Sequence, residues 1–180
     1  MEFQCLDIPD VILITPRVFE DERGYFFESY KQNEFAENGI NVHFVQDNRS
    51  RSKKGVLRGL HFQKPPHAQD KLVSVTRGEI LDVAVDIRIG SPTYGKHVSA
   101  RLSDENHQML FIPKGFAHGF LALSDITDMQ YKVSDIWDAA SEGGIIWNDP
   151  DLGIDWGIEQ PILAPKDLVY SGLKDSGKVF

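Results

Sequence analysis

An all-β barrel or sandwich is the fold the sequence predicts, and three observations predict it. Short apolar runs recur along the chain, several with strict period-two alternation. Gly and Pro punctuate them at strand-length intervals, and no internal repeat, low-complexity block or linker interrupts the pattern. The 180 residues suit one domain, 1–180, and 41% hydrophobic content supplies a core of ordinary size.

Each element follows in chain order. Lys31-Gln32-Asn33-Glu34-Phe35-Ala36-Glu37-Asn38 holds good helix formers with few β-branched residues, and Gly39 stands where a helix stops, so one short helix is expected. Gly55 to Gln63 reads as a strand. Lys71 to Thr76 and Glu79 to Asp86 alternate strongly around Arg77-Gly78, which predicts a hairpin. In the first of these strands Lys71, Val73 and Val75 share a face, so valines lining the interior would carry Lys71 inward, where its ammonium needs an anionic partner. The commoner alternative is a lysine at a strand start that reaches solvent. Beyond Trp147, Asp, Pro and Gly predict loops with a helical turn, and 174–180 is expected to be a mobile end.

A net charge of -8 argues against non-specific nucleic-acid binding, so any bound phosphate must meet a local cluster, for which Arg23, Arg58, Lys71 and Lys166 are candidates. The single Cys5 makes no internal disulfide and has no basic neighbour to activate it. No run approaches the roughly 20 apolar residues that span a bilayer. Met1-Glu2-Phe3-Gln4 lacks the basic segment of a secretory signal, so a cytoplasmic protein without membrane contact is expected.

The most informative stretch is Gly55-Val56-Leu57-Arg58-Gly59-Leu60-His61-Phe62-Gln63. On a regular strand Arg58 and His61 point to opposite faces, and Gly59 between them permits the bulge that would aim both at one ligand. A lone histidine in an apolar strand is more often a hydrogen-bonded structural residue. Phe111-Ile112-Pro113-Lys114-Gly115-Phe116-Ala117-His118-Gly119-Phe120 supplies a second one, in a P-x-G-x-x-H spacing that resembles the second motif of the cupin superfamily, and two such histidines suggest one pocket.

The resemblance narrows further. Asp21 to Phe26, Val45-Gln46-Asp47-Asn48, Gly55 to Gln63, Gly115 to Phe120 and Trp147-Asn148-Asp149-Pro150 follow, in order, the motifs of the dTDP-4-dehydrorhamnose 3,5-epimerases, from about the first strand to Lys166-Asp167. The resemblance implies a cupin-type jelly-roll barrel with a few short peripheral helices. It also implies an isomerase of dTDP-L-rhamnose biosynthesis that turns dTDP-4-dehydro-6-deoxy-D-glucose into dTDP-4-dehydro-L-rhamnose by inverting C3 and C5, without a cofactor. The chemistry is coherent: a base removes a proton beside the ketone, a positive group meets the enolate oxygen, and an acid on the other face returns a proton.

By that resemblance His61 is the base, Asp167 its partner carboxylate, Tyr131 the proton donor and Lys71 the cation near the C4 oxygen, which favours the inward lysine. Arg23, Arg58 and Lys166 would hold the diphosphate, and Glu28, Gln46, Asp47, Asn48, His118 and Glu142 would make other ligand contacts. The family's early segment serves a neighbouring subunit, implying a homodimer with shared sites. Trp137 departs from the tyrosine the family usually sets against the thymine ring, which puts base selectivity in doubt; its bland reading is a side chain filling the barrel mouth.

The rival reading is a metal-dependent cupin, because His118 ends the second motif. Such proteins typically provide an H-x-H pair, whereas Phe62 and Gln63 follow His61, so no metal site is expected. His43, His67, His97 and His107 stand in hydrophilic or loop-like contexts. Nearer alternatives are a catalytically dead sugar-nucleotide binder, an epimerase acting at one carbon, or one acting on a related 4-keto sugar.

Overall fold

The structure is a computed structural model that describes residues 1–176 and 180. Its strands run β1 (Glu2–Cys5), β2 (Ile12–Thr15), β3 (Phe19–Asp21) and β4 (Gly24–Phe26), then helix α1 (Gln32–Glu37). There follow β5 (Gln46–Lys53), β6 (Leu57–Gln63), β7 (Lys71–Arg77), β8 (Glu79–Asp86) and β9 (His97–Ser103). The series ends with β10 (Met109–Ile112), β11 (Phe116–Ala122), β12 (Ile126–Val133) and β13 (Glu142–Gly144), before 3₁₀ turns at Pro165–Leu168 and Leu173–Asp175.

Two antiparallel sheets form the jelly roll, one of six strands in the order β1-β2-β10-β7-β12-β5 and one of five in the order β13-β6-β11-β8-β9; β3 and β4 make a separate hairpin. Between the sheets lie Val73, Val75, Ile80, Ala84, Leu110, Ile112, Phe116, Phe120 and Met129. A second apolar layer, built on Leu57, Leu60, Phe62, Val83, Val85 and Leu121, is covered by Ile145, Leu152, Trp156 and Leu173 of the C-terminal segment. A third packs Leu72, Met109 and Phe111 under Phe35 of α1. β11 is therefore buried along its whole length, and its sequence is apolar at nearly every position rather than alternating.

The helix appears where expected, and Gly39 follows it at φ +87°, a left-handed conformation suited to glycine. The predicted hairpin does not form. β7 lies between β10 and β12 in the six-stranded sheet, while β8 lies between β11 and β9 in the other. Gly78 turns the chain at φ +75°, against Ile126 O, which an added Cβ would approach to 2.5 Å, and the chain crosses from one sheet to the other. Of the expected mobile end, Lys174 and Asp175 belong to a 3₁₀ turn and Phe180 packs near Phe62, their ring centroids 6.3 Å apart; 177–179 lie outside the described residues.

Candidate active site

β6 brings the site together through a break in its alternation. Leu57, Leu60 and Phe62 pack into the outer layer, and Arg58, His61 and Gln63 line the interior. The phase changes at Gly59, where β6's pairing with β11 slips between His118↔His61 and Phe120↔Arg58. Gly59 adopts φ +138°, and a Cβ there would stand 2.4 Å from Gly119 Cα, so no other residue fits. Arg58 and His61 thus face one pocket of about 530 Å³, as the glycine between them suggested.

His61 hydrogen-bonds Asp167 Oδ1 through Nε2 at 2.6 Å. Asp167 sits in the Pro165–Leu168 turn and is 1% exposed. The chain reaches that position through a parallel bridge, Val56↔Ile162, in which Leu57 N donates to Ile162 O and Ile162 N to Gly55 O. This pins the turn against β6. The Tyr170 ring lies 5.9 Å from the imidazole, edge to face, against Gly144, where a Cβ would meet that ring at 2.4 Å.

Lys71 points inward with Val73 and Val75 and does not reach solvent at the strand start. Burial pushes its ammonium down to about 8, against the pull of Asp82 and Glu142. The expected anionic partner is not there: among the described residues no carboxylate reaches salt-bridge distance, and Lys71 Nζ donates only to His61 O, at 3.3 Å. A poorly compensated buried cation is an attractive site for a developing negative charge.

Tyr131 lies on β12, in the sheet opposite His61, and also lines the pocket. Burial raises its phenol above the ordinary range, with Arg58 and Lys166 pulling the other way. Beside His61 on β11, His118 gives Nε2 to both oxygens of Asp82, at 2.9 and 3.0 Å, and burial lowers its pKa. Lys166 pairs with Glu142. Burial alone would raise Glu142, but that lysine holds it below its usual range. Arg58 bonds Ser52 Oγ and Arg51 O and has no acidic partner among the described residues, so its charge is open to an anion.

Nine of the residues singled out in the sequence line this pocket: Arg58, His61, Lys71, His118, Tyr131, Trp137, Glu142, Lys166 and Asp167. Trp137 stands at the mouth, 59% exposed, rather than filling it. Gln46 and Asn48 sit on the inward face of β5 beside it, with Gln46 Nε2 donating to Asn48 Oδ1 and Gln46 Oε1 accepting from Trp137 N. Asp47, one residue out of phase, faces outward and pairs with Lys132. Arg23 and Glu28 are not brought to the pocket of this chain. Arg23 projects from the β3–β4 hairpin and pairs with Asp21, and Glu28 pairs with Lys31.

Asp82, Gln63, Gln69, Ser50 and Met129 also stand in or beside the pocket and were not among the residues expected there. Asp82 alone had a usable signal, since it alternates inward with Ile80 and Ala84. The motif Trp147-Asn148-Asp149-Pro150 lies outside the pocket, where Trp147 O accepts from Trp156 Nε1 and Asp149 accepts from Leu173 N.

The family described as dTDP-4-dehydrorhamnose 3,5-epimerase matches residues 5–175. The chain belongs to that family. A dTDP-4-dehydrorhamnose 3,5-epimerase of Pseudomonas aeruginosa is 57% identical over 178 residues, 98% of both chains. A crystal structure of dTDP-6-deoxy-D-glucose-3,5-epimerase from Legionella pneumophila, in complex with dTDP-4-keto-L-rhamnose, superposes with a TM-score of 0.94 at 49% identity, covering 97% of this chain and 93% of that one. More distant is a dTDP-4-dehydrorhamnose 3-epimerase of Streptomyces niveus, 40% identical over 98% of this chain and 87% of its own.

Proposed function

We propose that this epimerase inverts C3 and C5 of dTDP-4-dehydro-6-deoxy-D-glucose, giving dTDP-4-dehydro-L-rhamnose. The observation that carries the reading is a base held by a buried carboxylate on one sheet facing a phenol on the other, with a buried ammonium at the same pocket. Asp167 takes the Nε2–H of His61, which leaves Nδ1 as the basic atom and sets a carboxylate beside the charge the ring acquires. Nδ1 removes the proton from the carbon next to the ketone. The C–H electron pair becomes the enolate, whose oxygen Lys71 meets. Tyr131 then delivers its phenolic proton to the opposite face of that carbon and so inverts it. Each inversion leaves His61 protonated and Tyr131 ionised, and exchange of one proton with solvent resets both.

Arg58 and Lys166 take the diphosphate and Trp137 stacks on the base. His118, Glu142, Gln46 and Asn48 line the remaining contacts, and Asp47, turned outward on β5, makes none. Arg23 and Glu28 serve the site of a second chain in a homodimer. The separate β3–β4 hairpin supports that arrangement, since it leaves Phe19, Tyr25 and Phe26 more than half exposed. Sedimentation should return the mass of two chains. The protein works as one domain in the cytoplasm.

Proton NMR in D₂O on the sugar nucleotide tests the chemistry. The wild-type protein should place deuterium at both carbons and invert both, while Tyr131→Phe should still exchange protons but lose inversion, so that exchange outruns epimerisation. Wild-type inversion at C3 alone would make the protein a 3-epimerase. Full inversion by Tyr131→Phe would leave the phenol a structural group.

A further inference from the structure

The backbone beneath Trp137 is held at four consecutive residues by the side chains of three glutamines. Gln69 Nε2 donates to Asp135 O at 2.8 Å, Gln63 Nε2 to Ile136 O at 3.1 Å, Trp137 N to Gln46 Oε1 at 3.1 Å, and Asp138 N to Gln63 Oε1 at 2.7 Å. Gln63 does the most. It is 5% exposed, and its Nε2 also donates to His67 O at 2.7 Å, so one amide ties the 134–141 loop to the loop that follows β6. Both of its N–H groups and its oxygen are spent on backbone, which leaves it little to offer a ligand. It stands two residues from His61 on the same strand and face, and pairs across to Glu142, where the loop re-enters the sheet. The Trp137 side chain is largely exposed and its indole N–H bonds Glu142, helping to hold that carboxylate below its usual range, so the ring stands on the backbone the glutamines hold and is turned by the residue paired across from Gln63.

We propose that Gln63 is a positioning residue that sets the Trp137 plate at a fixed offset from His61, so that a nucleotide base stacked on Trp137 places the sugar at the catalytic base. The inference rests on the reading that the base stacks on Trp137. Gln63 itself touches no reacting atom. Replacing it removes three hydrogen bonds to the loops and leaves three backbone groups to find water, which frees the plate to move.

The test is a double-mutant cycle on the full chain, with thymidine diphosphate as the titrant and the sugar nucleotide as substrate. Gln63→Leu should weaken thymidine diphosphate about tenfold, raise KM by a similar factor and lower kcat about tenfold as well, because a plate free to move no longer sets the sugar at His61. In a Trp137→Ala background the same substitution should add less than about twofold, because the plate it positions is gone. Equal losses in both backgrounds, or no loss in either, would overturn the proposal, as would a fall in kcat at constant KM. Should Trp137→Ala alone leave thymidine diphosphate binding unchanged, the stacking reading fails and the proposal falls with it. Gln63→Glu, of equal size, serves the same cycle if the leucine variant does not fold, since it keeps the acceptor for Asp138 N and loses both donors.

Discussion

Two histidine–aspartate pairs stand side by side across β6 and β11, His61 opposite His118 in the register, and they do different things. His61 is a quarter exposed and opens on the pocket, and its carboxylate comes from a turn 106 residues away in sequence. His118 is 8% exposed, its carboxylate Asp82 is sealed in the barrel on the neighbouring strand β8, and burial disfavours its charged form. Under the proposed mechanism the same two side chains make a base where one nitrogen can reach a substrate, and a fixed wall where burial disfavours the charged imidazole. Access, rather than the pairing, separates them.

Removing each carboxylate's charge should sharpen that contrast most. Asp167→Asn is expected to lower kcat about a thousandfold or more with the fold intact, because the asparagine favours the wrong tautomer at His61. Asp82→Asn should lose far less activity and show its main effect on stability, roughly 1–3 kcal/mol, by weakening a buried pair. Steady-state rates and thermal melts on both variants decide it, and equal kinetic losses would erase the distinction.

Lys71 gives the next largest effect. With its ammonium at about 8, kcat/KM should fall as pH rises through that value and the cation is lost, while the limb in kcat, which reports the enzyme–substrate complex, lies higher because the bound diphosphate's charge favours the ammonium. Lys71→Met should abolish most activity. The native pKa is depressed below the unfolded one, so charging the folded protein is unfavourable at neutral pH and the wild type gains stability as pH rises from about 8 towards 10.5. The methionine variant should therefore melt higher at pH 7, by a few degrees. A lower melting temperature would mean the ammonium is better compensated than its surroundings suggest.

What the sequence disclosed follows the reach of its patterns. Period two put Lys71 on one face with Val73 and Val75 and the family resemblance chose the inward face, while Gly59 between Arg58 and His61 announced the phase change that aims both inward. The same periodicity found β7 and β8 but misjudged their pairing, because Gly78 encodes a reversal of the chain and says nothing about which sheet receives the next strand. Only the family resemblance pointed to Asp167. Its burial comes from a parallel bridge between Val56 and Ile162, which no local pattern contains. Gln63 was equally hidden, since its worth lies in backbone groups more than seventy residues further along the chain.

The proposed mechanism requires His61 as the base. Deuterium entry at C3 and C5 of the sugar nucleotide, followed by NMR for His61→Ala beside the wild type and with circular dichroism to show that the fold survives, measures it directly. Exchange should be lost at both carbons together. Exchange near the wild-type rate at either carbon in His61→Ala would contradict it and assign the proton abstraction to another group in the pocket.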